Sequence, residues 1–326
     1  MKILLLLGLL LLGAIRTTAG PVTEHGALRV SGHQIVGDDG RPVSLAGVSF
    51  GWSQWEAARF YNARVVNWLK DDWHAGIVRA ALGIDPAGYL SHPEAEKARV
   101  RKVVEAAIAA DIYVIIDWHD HHAPDHTDLA VAFFQQMARE YGRHPNVIYE
   151  IFNEPVRGLT WAGAIKPYAE KVVAAIRDLD PTHLIVVGTP TFSQDVDVAA
   201  ADPIKADNIA YTLHFYAGTH KQELRDKAVA AMNQGAALFV SEWGTCNADG
   251  AGGVDVESTQ QWMAFMRRWQ LSHCNWGLYD KAETASIVVP GASRRGGWTE
   301  KDLTESGRFA RALIRNWSSA TAPAAQ

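Results

Sequence analysis

The chain has 326 residues, of which 48% are hydrophobic and 21% are charged, and its formal net charge is -5. This length is enough for one large α/β domain or two small ones, and the composition is ordinary for a soluble globular chain. The slightly negative charge offers neither the basic surface that nucleic acid requires nor a polybasic membrane patch. Nucleic acid and membrane surfaces are therefore not expected as partners.

The first nineteen residues have the pattern of an export signal. Lys2 supplies a short positive segment, residues 3–15 form a leucine-rich apolar run, and Ala19 ends a stretch of small residues suited to cleavage. The run is too short for a comfortable membrane span, and no later segment is long enough to be one. We expect residues 1–19 to be a signal peptide and the mature chain to be secreted or periplasmic; a retained N-terminal anchor is the alternative.

Strand-like and helix-like segments then alternate along the chain. A small hairpin is predicted at Leu28–Val30 and Gln34–Val36. Apolar, β-branched segments predict eight further strands: Val43–Phe50, Ile77–Ile84, Ile112–Trp118, Val147–Phe152, Leu184–Thr189, Ile209–His214, Leu238–Glu242 and Asn275–Leu278. Helical patterns cover Pro93–Ala110, Asp128–Tyr141, Ile165–Leu179, Lys221–Gln234, Val256–Gln270 and Lys301–Trp317. Ser91 and Glu94 predict a capping box before the first of these helices.

This alternation predicts an α/β fold, a closed (β/α)8 TIM barrel with a small N-terminal β-hairpin. An open, doubly wound sheet is the alternative, but no glycine-rich phosphate loop follows a first strand. Residues 318–326, rich in Ala, Ser and Pro, predict a flexible tail.

Two glutamates lie where predicted strands end. Glu154 follows the strand Val147–Phe152, and Glu242 closes the strand Leu238–Glu242. A carboxylate in such a place is costly unless it is paired, protonated or chemically used. Two that converge on one cleft match the needs of glycosidic bond cleavage, in which one acid protonates the leaving oxygen and one carboxylate attacks the anomeric carbon. The alternative is that each is a structural glutamate bonded to backbone or to arginine.

Other polar and aromatic residues lie at the same ends of the predicted strands. Active sites of (β/α)8 barrels occupy the C-terminal ends of the strands. The twelve Trp of the chain add flat apolar faces suited to sugar rings. In chain order the rim residues are Trp52, Trp55, Arg79, Trp118, His119, Asn153, Phe192, His214, Tyr216, Trp243 and Trp276.

Six segments in this order resemble glycoside hydrolase family 5. They are Val78–Ala81, Val114–His119, Val147–Pro155, Leu213–His220, Val240–Thr245 and the pair Asn275-Trp276. The Asn153-Glu154-Pro155 element alone recurs in several glycosidase families, whereas the ordered set is far more specific. The likeness is strongest to bacterial endo-β-1,4-glucanases and covers nearly the whole chain after the signal.

The resemblance implies a retaining endo-β-1,4-glucanase that acts on cellulose and related β-glucans as a monomer and without a cofactor or metal. Residues 20–317 would form its catalytic barrel. A β-mannanase or xylanase of the same fold is the nearest alternative. Two others are a catalytically silent polysaccharide-binding barrel and a metal-dependent hydrolase built on the His-rich stretch Asp117–His122.

By position, the resemblance also implies roles for individual residues. Glu154 would be the general acid/base and Glu242 the nucleophile, with their carboxyls ~5 Å apart as retaining enzymes require. Arg79 would keep Glu242 ionised, Tyr216 would donate a hydrogen bond to it, and Asn153 would hold the sugar 2-hydroxyl. The sugar site would be lined by His119 and His214, with Trp276 as platform at the cleavage site and Trp55, Lys281 and Glu283 further toward the non-reducing side. Phe192 stands where this family usually has Trp, and a core position for it is the alternative.

Cys246 and Cys274 are the only cysteines. Cys246 lies four residues beyond Glu242, and Cys274 lies two residues before Trp276. If the chain stays extended, six residue steps of ~3.3 Å separate the pair, which exceeds the ~4.4–6.8 Å Cα spacing of a disulfide. We expect two free thiols; a loop that folds back would instead allow a bridge.

Overall fold

The computed structural model describes residues 19–317, so the predicted tail and all but the last residue of the predicted signal peptide lie outside the described residues. An antiparallel hairpin of β1 (Arg29–Ser31) and β2 (Gln34–Val36) comes first. Eight parallel strands then close into a barrel, β10 lying between β9 and β3. They are β3 (Ala46–Phe50), β4 (Ile77–Gly83), β5 (Tyr113–His119), β6 (Val147–Glu150), β7 (Ile185–Val187), β8 (Ile209–Tyr216), β9 (Leu238–Gly244) and β10 (His273–Leu278). The predicted (β/α)8 barrel and hairpin are confirmed.

Helices surround the barrel and cover the outer faces of its strands. They are α1 (Pro21–His25), α2 (Ala63–Trp73), α3 (Pro93–Ala109), α4 (Thr127–Tyr141), α5 (Lys166–Arg177), α6 (Val196–Ala201), α7 (Gln222–Asn233), α8 (Val256–Trp269) and α9 (Glu305–Arg315). α2 was not predicted, although Asn62 caps it by accepting a hydrogen bond from the Val65 amide. The capping box before α3 is wrong: the N-cap is His92, its side chain makes no capping bond, and Pro93 opens the helix.

The barrel interior has an apolar lower end and a polar upper end. At the lower, N-terminal ends of the strands, buried side chains form one cluster that includes Ile77, Ile115, Ile148 and Phe239. A larger apolar layer lies between the barrel and the helices. These packed layers hold the strand ends in fixed positions, and so they fix the side chains that the upper rim presents.

A bulge in β9 increases the number of polar groups that point inward. Thr212 of β8 pairs with Phe239 of β9. His214 is two residues further along β8, but it pairs with Glu242, which is three residues further along β9. An extra residue in one strand locally breaks the alternation of faces. Both Ser241 and Glu242 consequently contact buried groups inside the barrel.

Both cysteines are free and buried, as expected. Asn275 pairs with Trp243, so Cys246 lies three residues above that level and Cys274 one residue below it. The pair is thus four residue steps apart rather than the six predicted, and β9 ends at Gly244, so the rise of an extended strand does not carry on to Cys246.

Within residues 19–317, no helix combines the length and the apolar character that crossing a membrane requires.

Candidate active site

Arg79, on β4, is the centre of the polar upper interior. Its side chain is fully buried, and it makes ion pairs with three carboxylates: Nε with Glu150 Oε2 at 2.6 Å, Nη1 with Glu242 Oε2 at 3.0 Å, and Nη2 with Asp117 Oδ2 at 3.0 Å. Nη2 also donates to Asn153 Oδ1 at 2.7 Å. Burial alone would lower the pKa of Arg79, but the carboxylates raise it well above its usual value. The guanidinium is therefore a permanent positive charge beneath the rim.

Glu242 lies on β9 and receives donors on both carboxylate oxygens. Arg79 binds Oε2, and the Tyr216 hydroxyl donates to Oε1 at 2.7 Å. Burial and the adjacent Glu242 raise the pKa of Tyr216 well above its ordinary value, so the hydroxyl keeps its proton. Gly244 leaves the space that Tyr216 needs, because a Cβ there would lie 2.3 Å from the tyrosine ring. These contacts hold Glu242 in place.

Glu154, just past β6, lies between two histidines. Oε1 is 2.9 Å from His214 Nδ1, and Oε2 is 3.5 Å from His121 Nε2. Burial raises the pKa of Glu154, whereas hydrogen bonds from the two rings, where they donate, bring it below its ordinary value. Ligating atoms of Glu154, His214 and Glu242 all lie within 4.8 Å of one another. This agrees with the separation predicted for a retaining pair and is shorter than the roughly 6.5–9.5 Å of an inverting one.

An aromatic groove extends from the glutamate pair on the side of β10. The Trp276 ring is parallel to that of His119 at 5.2 Å between centroids, and Trp52 meets His119 edge-on at 4.3 Å. The peptide between Trp276 and Gly277 is cis. The outer groove encloses about 200 Å³ and is lined by Trp52, Trp55, Glu56, Ala57, Trp276, Tyr279, Lys281 and Glu283. Trp55 is 47% exposed, and its ring centroid lies 4.8 Å from that of Trp52.

Lys281 and Glu283 form an ion pair at the groove wall, with Nζ 2.7 Å from Oε2. Glu283 also accepts a hydrogen bond from the Tyr279 hydroxyl at 2.7 Å. The predicted residues Trp55, Trp276, Lys281 and Glu283 thus lie together along one groove. Tyr279 and Trp52 complete it.

The opposite side of the glutamate pair has one aromatic side chain, Phe192. Its ring meets the His121 ring edge-on at 6.4 Å, and its backbone is left-handed, with φ of 58°. Thr191 and Ser193 also have left-handed backbone conformations. The Ser193 hydroxyl donates a hydrogen bond to the Asn153 carbonyl at 2.7 Å. Phe192 is half-buried beside the site rather than in the core, because this turn is tied to the loop that carries Asn153 and Glu154.

The His-rich stretch does not direct its side chains to a common point. His119 Nδ1 contacts Asp117 at 2.7 Å, His126 Nδ1 contacts Asp120 at 2.8 Å, and His121 contacts Glu154. Glu154, His214 and Glu242 could meet a cation geometrically. The Arg79 guanidinium, 3.0 Å from Glu242, opposes a second positive charge there.

Sequence reasoning did not predict the contacts of four residues that touch the predicted ones, although Asp117 and His121 belong to the His-rich stretch considered above. Asp117 and Glu150 bind Arg79, His121 contacts Glu154, and Ser241 contacts both His214 and Glu150. A signal was present for two of them, because Asp117 and Glu150 are charged residues inside apolar strands. Ser241 gave no such signal, because a neutral serine within a strand does not by itself indicate a buried polar contact.

A (β/α)8 barrel with two carboxylates at this separation, beside an aromatic groove, defines a glycoside hydrolase. Comparison with known proteins agrees with that class. The family described as cellulase, glycosyl hydrolase family 5, matches residues 36–282. Endoglucanase Z of Dickeya dadantii is 52% identical over 293 residues, which are 89% of this chain and 66% of that protein. An endoglucanase of Clostridium saccharobutylicum is 45% identical over 92% of this chain and 67% of that protein.

Solved structures show the same similarity. The catalytic domain of endoglucanase Cel5A from Thermobifida fusca superposes with a TM-score of 0.86 at 32% identity, covering 91% of this chain and 99% of that domain. A variant of that domain was solved in complex with cellotetraose. The chain spans about two thirds of the length of the first two curated relatives, 66% and 67%. It belongs to the cellulase family, glycosyl hydrolase family 5.

Proposed function

We propose that this protein is a retaining endo-β-1,4-glucanase that hydrolyses internal bonds of cellulose and related β-glucans. The observation that carries the proposal is the Glu154–Glu242 pair, with oxygens within 4.8 Å, at the inner end of the aromatic groove. Family membership and the endoglucanase names of similar proteins support the substrate class. Because the chain matches about two thirds of those relatives, the proposal concerns the barrel.

In the first half of the reaction, Glu242 attacks the anomeric carbon while Glu154 gives its proton to the leaving glycosidic oxygen. The C–O bond to the leaving chain breaks as the ester bond to Glu242 forms. Arg79 and Tyr216 donate hydrogen bonds that hold the attacking carboxylate in position. Glu154 leaves this step as a carboxylate.

In the second half, Glu154 accepts a proton from water, whose oxygen attacks the anomeric carbon of the glycosyl-enzyme. The ester bond to Glu242 breaks, Glu242 regains its negative charge, and Glu154 is again protonated. Two displacements on the same carbon restore the original configuration. Oxygens of the two carboxyls within 4.8 Å of each other support this retaining route, because an inverting pair is spaced roughly 6.5–9.5 Å apart.

The remaining residues would hold the sugar chain. Asn153, whose Oδ1 accepts a hydrogen bond from Arg79, would bind the 2-hydroxyl, and Trp276, stacked on His119, would offer an apolar face at the cleavage site. Trp55 and the Lys281–Glu283 pair would bind sugars further along the groove. On the leaving-group side, Phe192 would provide a weaker platform, because Phe has a smaller face than Trp and no N–H.

The direct test is the release of reducing sugar from carboxymethyl cellulose, glucomannan and xylan, assayed side by side with viscosity. We expect the highest rate on the glucan, with a rapid fall in viscosity because internal bonds are cut. A preference for glucomannan or xylan would favour the mannanase or xylanase alternative. No hydrolysis would favour a binding barrel, and loss of activity with a chelator would favour a metal-dependent hydrolase.

We also propose that the chain is exported after cleavage between Ala19 and Gly20 and acts as a monomer, in which residues 20–317 form the catalytic domain. The apolar run before Ala19 supports export. Sequencing the N-terminus of protein recovered outside the cytoplasm, together with its mass in solution, tests this. Retention of residues 1–19 would indicate an anchor.

A further inference from the structure

A continuous series of hydrogen bonds joins the two glutamates through the barrel interior. From Glu154 it passes to His214 Nδ1 at 2.9 Å, from His214 Nε2 to Ser241 Oγ at 3.0 Å, and from Ser241 Oγ to Glu150 Oε1 at 2.5 Å. Arg79 then joins Glu150 to Glu242, at 2.6 and 3.0 Å. The four inner members are at most 1% exposed, so water does not compete along the series.

All the hydrogen bonds from Glu154 to Glu150 must run in the same donor-to-acceptor direction. A serine hydroxyl has one proton, and a neutral imidazole has one N–H and one acceptor nitrogen. If Ser241 donates to an ionised Glu150, its oxygen must accept from His214 Nε2–H. His214 Nδ1 is then an acceptor, and the proton between Nδ1 and Glu154 must belong to Glu154.

The contacts of Glu150 favour its ionised form. Oε2 accepts from Arg79, and Oε1 accepts from Ser241 and, at 3.4 Å, from Thr212. Burial raises the pKa of Glu150, and Arg79 opposes this. Asp117 is the better place for an extra proton, because its Oδ1 has no partner and burial raises its pKa to about 7.

We propose that Ser241 and Glu150 are positioning residues that hold His214 as its Nε2–H tautomer and so keep Glu154 protonated for the acid step. The Arg79 guanidinium thus favours opposite charges in the two glutamates: it contacts Glu242 directly, and it reaches Glu154 through Glu150, Ser241 and His214. This inference rests on the proposed roles of Glu154 and Glu242. No net proton moves along the series, because Glu154 gives its proton to the leaving oxygen and regains one from water.

Other charged groups face the same residues and must be considered. Glu154 faces His121 as well as His214, and its partner Glu242 lies across the cleft. His214 faces Glu154, Glu150, Glu242 and Arg79, and Glu150 faces Arg79, Asp117 and His214. Burial lowers the pKa of His214, but the anionic forms of Glu242 and Glu154 raise it above its ordinary value, so a neutral imidazole requires that Glu154 carries its own proton. His121 is the one competing donor to Glu154, but it approaches Oε2, whereas the series acts on Oε1.

The most direct test is ¹⁵N NMR of the histidine side chains in the whole, unmodified protein at its working pH. We expect His214 to carry its proton on Nε2, with Nδ1 in the acceptor state. A proton on Nδ1, or on both nitrogens, would overturn the proposal. This measurement does not depend on turnover, so it separates failure of the series from failure of the proposed catalytic roles.

Ser241→Ala provides the kinetic test. Without the serine oxygen, His214 is free to donate from Nδ1 to Glu154, which favours the Glu154 anion. The alkaline limb of the kcat/KM profile should move down by about one pH unit, tenfold in the ionisation constant, while the acid limb stays in place. The loss of kcat/KM in Ser241→Ala should be largest for substrates with poor leaving groups. It should be absent for a dinitrophenyl cellobioside, because its leaving group needs no protonation.

Two matched variants control for a structural effect. Thr212→Val removes the other hydroxyl from Glu150 Oε1 and should move neither limb, and Ser241→Thr, which keeps a hydroxyl, should restore the wild-type profile. Equal shifts of both limbs, or no shift, in Ser241→Ala would contradict the proposal. If Ser241→Ala fails to fold, the tautomer measured in the wild-type protein still decides.

Discussion

The same strands build both ends of the barrel interior, but the side chains that they point inward differ between the two ends. Moving two residues along a strand returns to the same face, and on three strands this step changes an apolar side chain into a polar one. The pairs are Ile77 and Arg79 on β4, Ile148 and Glu150 on β6, and Phe239 and Ser241 on β9. The lower end is packed hydrocarbon, and the upper end is one guanidinium surrounded by carboxylates.

This difference separates the source of stability from the source of chemistry. Burying Arg79 with its carboxylates carries a desolvation cost, and such a cost often cancels most of the mutual attraction of buried ion pairs. The apolar lower end and the layer beneath the helices stabilise the fold enough to tolerate that cost. Changes at the upper end should therefore affect catalysis more than folding, and changes at the lower end should do the reverse.

Removing either catalytic carboxyl should give the largest effect. Glu242→Gln and Glu154→Gln keep side-chain volume and remove only ionisation, so each should lower kcat by several powers of ten with little change in Tm. On an activated aryl glycoside the variants should differ: Glu154→Gln forms the glycosyl-enzyme and stalls, and Glu242→Gln does not form it. Mass spectrometry of the protein distinguishes the two, and mild, equal losses in both would refute the assignment.

Phe239→Ala should give the opposite result at the lower end. Phe239 is fully buried in the lower cluster, and truncating such a side chain costs about 3–5 kcal/mol of unfolding free energy. The folded fraction should keep a nearly normal kcat, because Phe239 lies in the lower cluster, whose members include none of the proposed catalytic residues. Urea unfolding and active-site titration measure the two quantities. A large loss of kcat with normal stability would show that the two ends are not separable.

Trp276→Ala should weaken polymer hydrolysis more than Phe192→Ala, which is its matched control across the cleft. Loss of a stacked sugar is worth about 1–3 kcal/mol, or roughly fivefold to 150-fold in kcat/KM. Phe192 has less area to lose and only an edge contact with His121. Kinetics on cello-oligosaccharides test the order. The reverse order would place the dominant platform on the leaving-group side.

The pH dependence of stability should report the burial of Asp117. Burial raises its pKa from 3.8 to about 7, so between these values the folded protein holds a proton that the unfolded chain has lost. Its contribution to stability is therefore complete below the unfolded pKa and is lost as pH rises through about 7. The unfolding free energy of wild type minus that of Asp117→Asn should fall by about 1.4 kcal/mol per pH unit in this window. A flat or rising difference would show that Asp117 is ionised in the fold.

The barrel and its rim could be predicted because both depend on local pattern. Each β-branched run became a strand, and the side chain at its end reached the upper rim, as Glu242 and Trp276 did. The contacts inside the barrel could not be predicted in the same way. They depend on strand register and on the bulge in β9, which brings both Ser241 and Glu242 inward.

Local signals also failed where tertiary contacts determined the backbone. The left-handed conformation of Phe192 is rare for a bulky residue, and nothing in its neighbours' identity indicates it. Two hydrogen bonds hold this conformation. The Phe192 N–H donates to the Pro155 carbonyl, and the Ser193 hydroxyl donates to the Asn153 carbonyl. Likewise Ser91 and Glu94 fit a capping box in sequence, but the helix begins at Pro93, beyond the reach of Ser91 as N-cap.

The central claim, that Glu242 and Glu154 act in a double displacement, is tested most directly by the stereochemistry of the first product. Proton NMR of cello-oligosaccharide hydrolysis, followed from the first seconds, shows which anomer forms before mutarotation. Oxygens within 4.8 Å of each other predict the β-anomer as the first product. The α-anomer as first product would mean a single inverting displacement and would contradict the account.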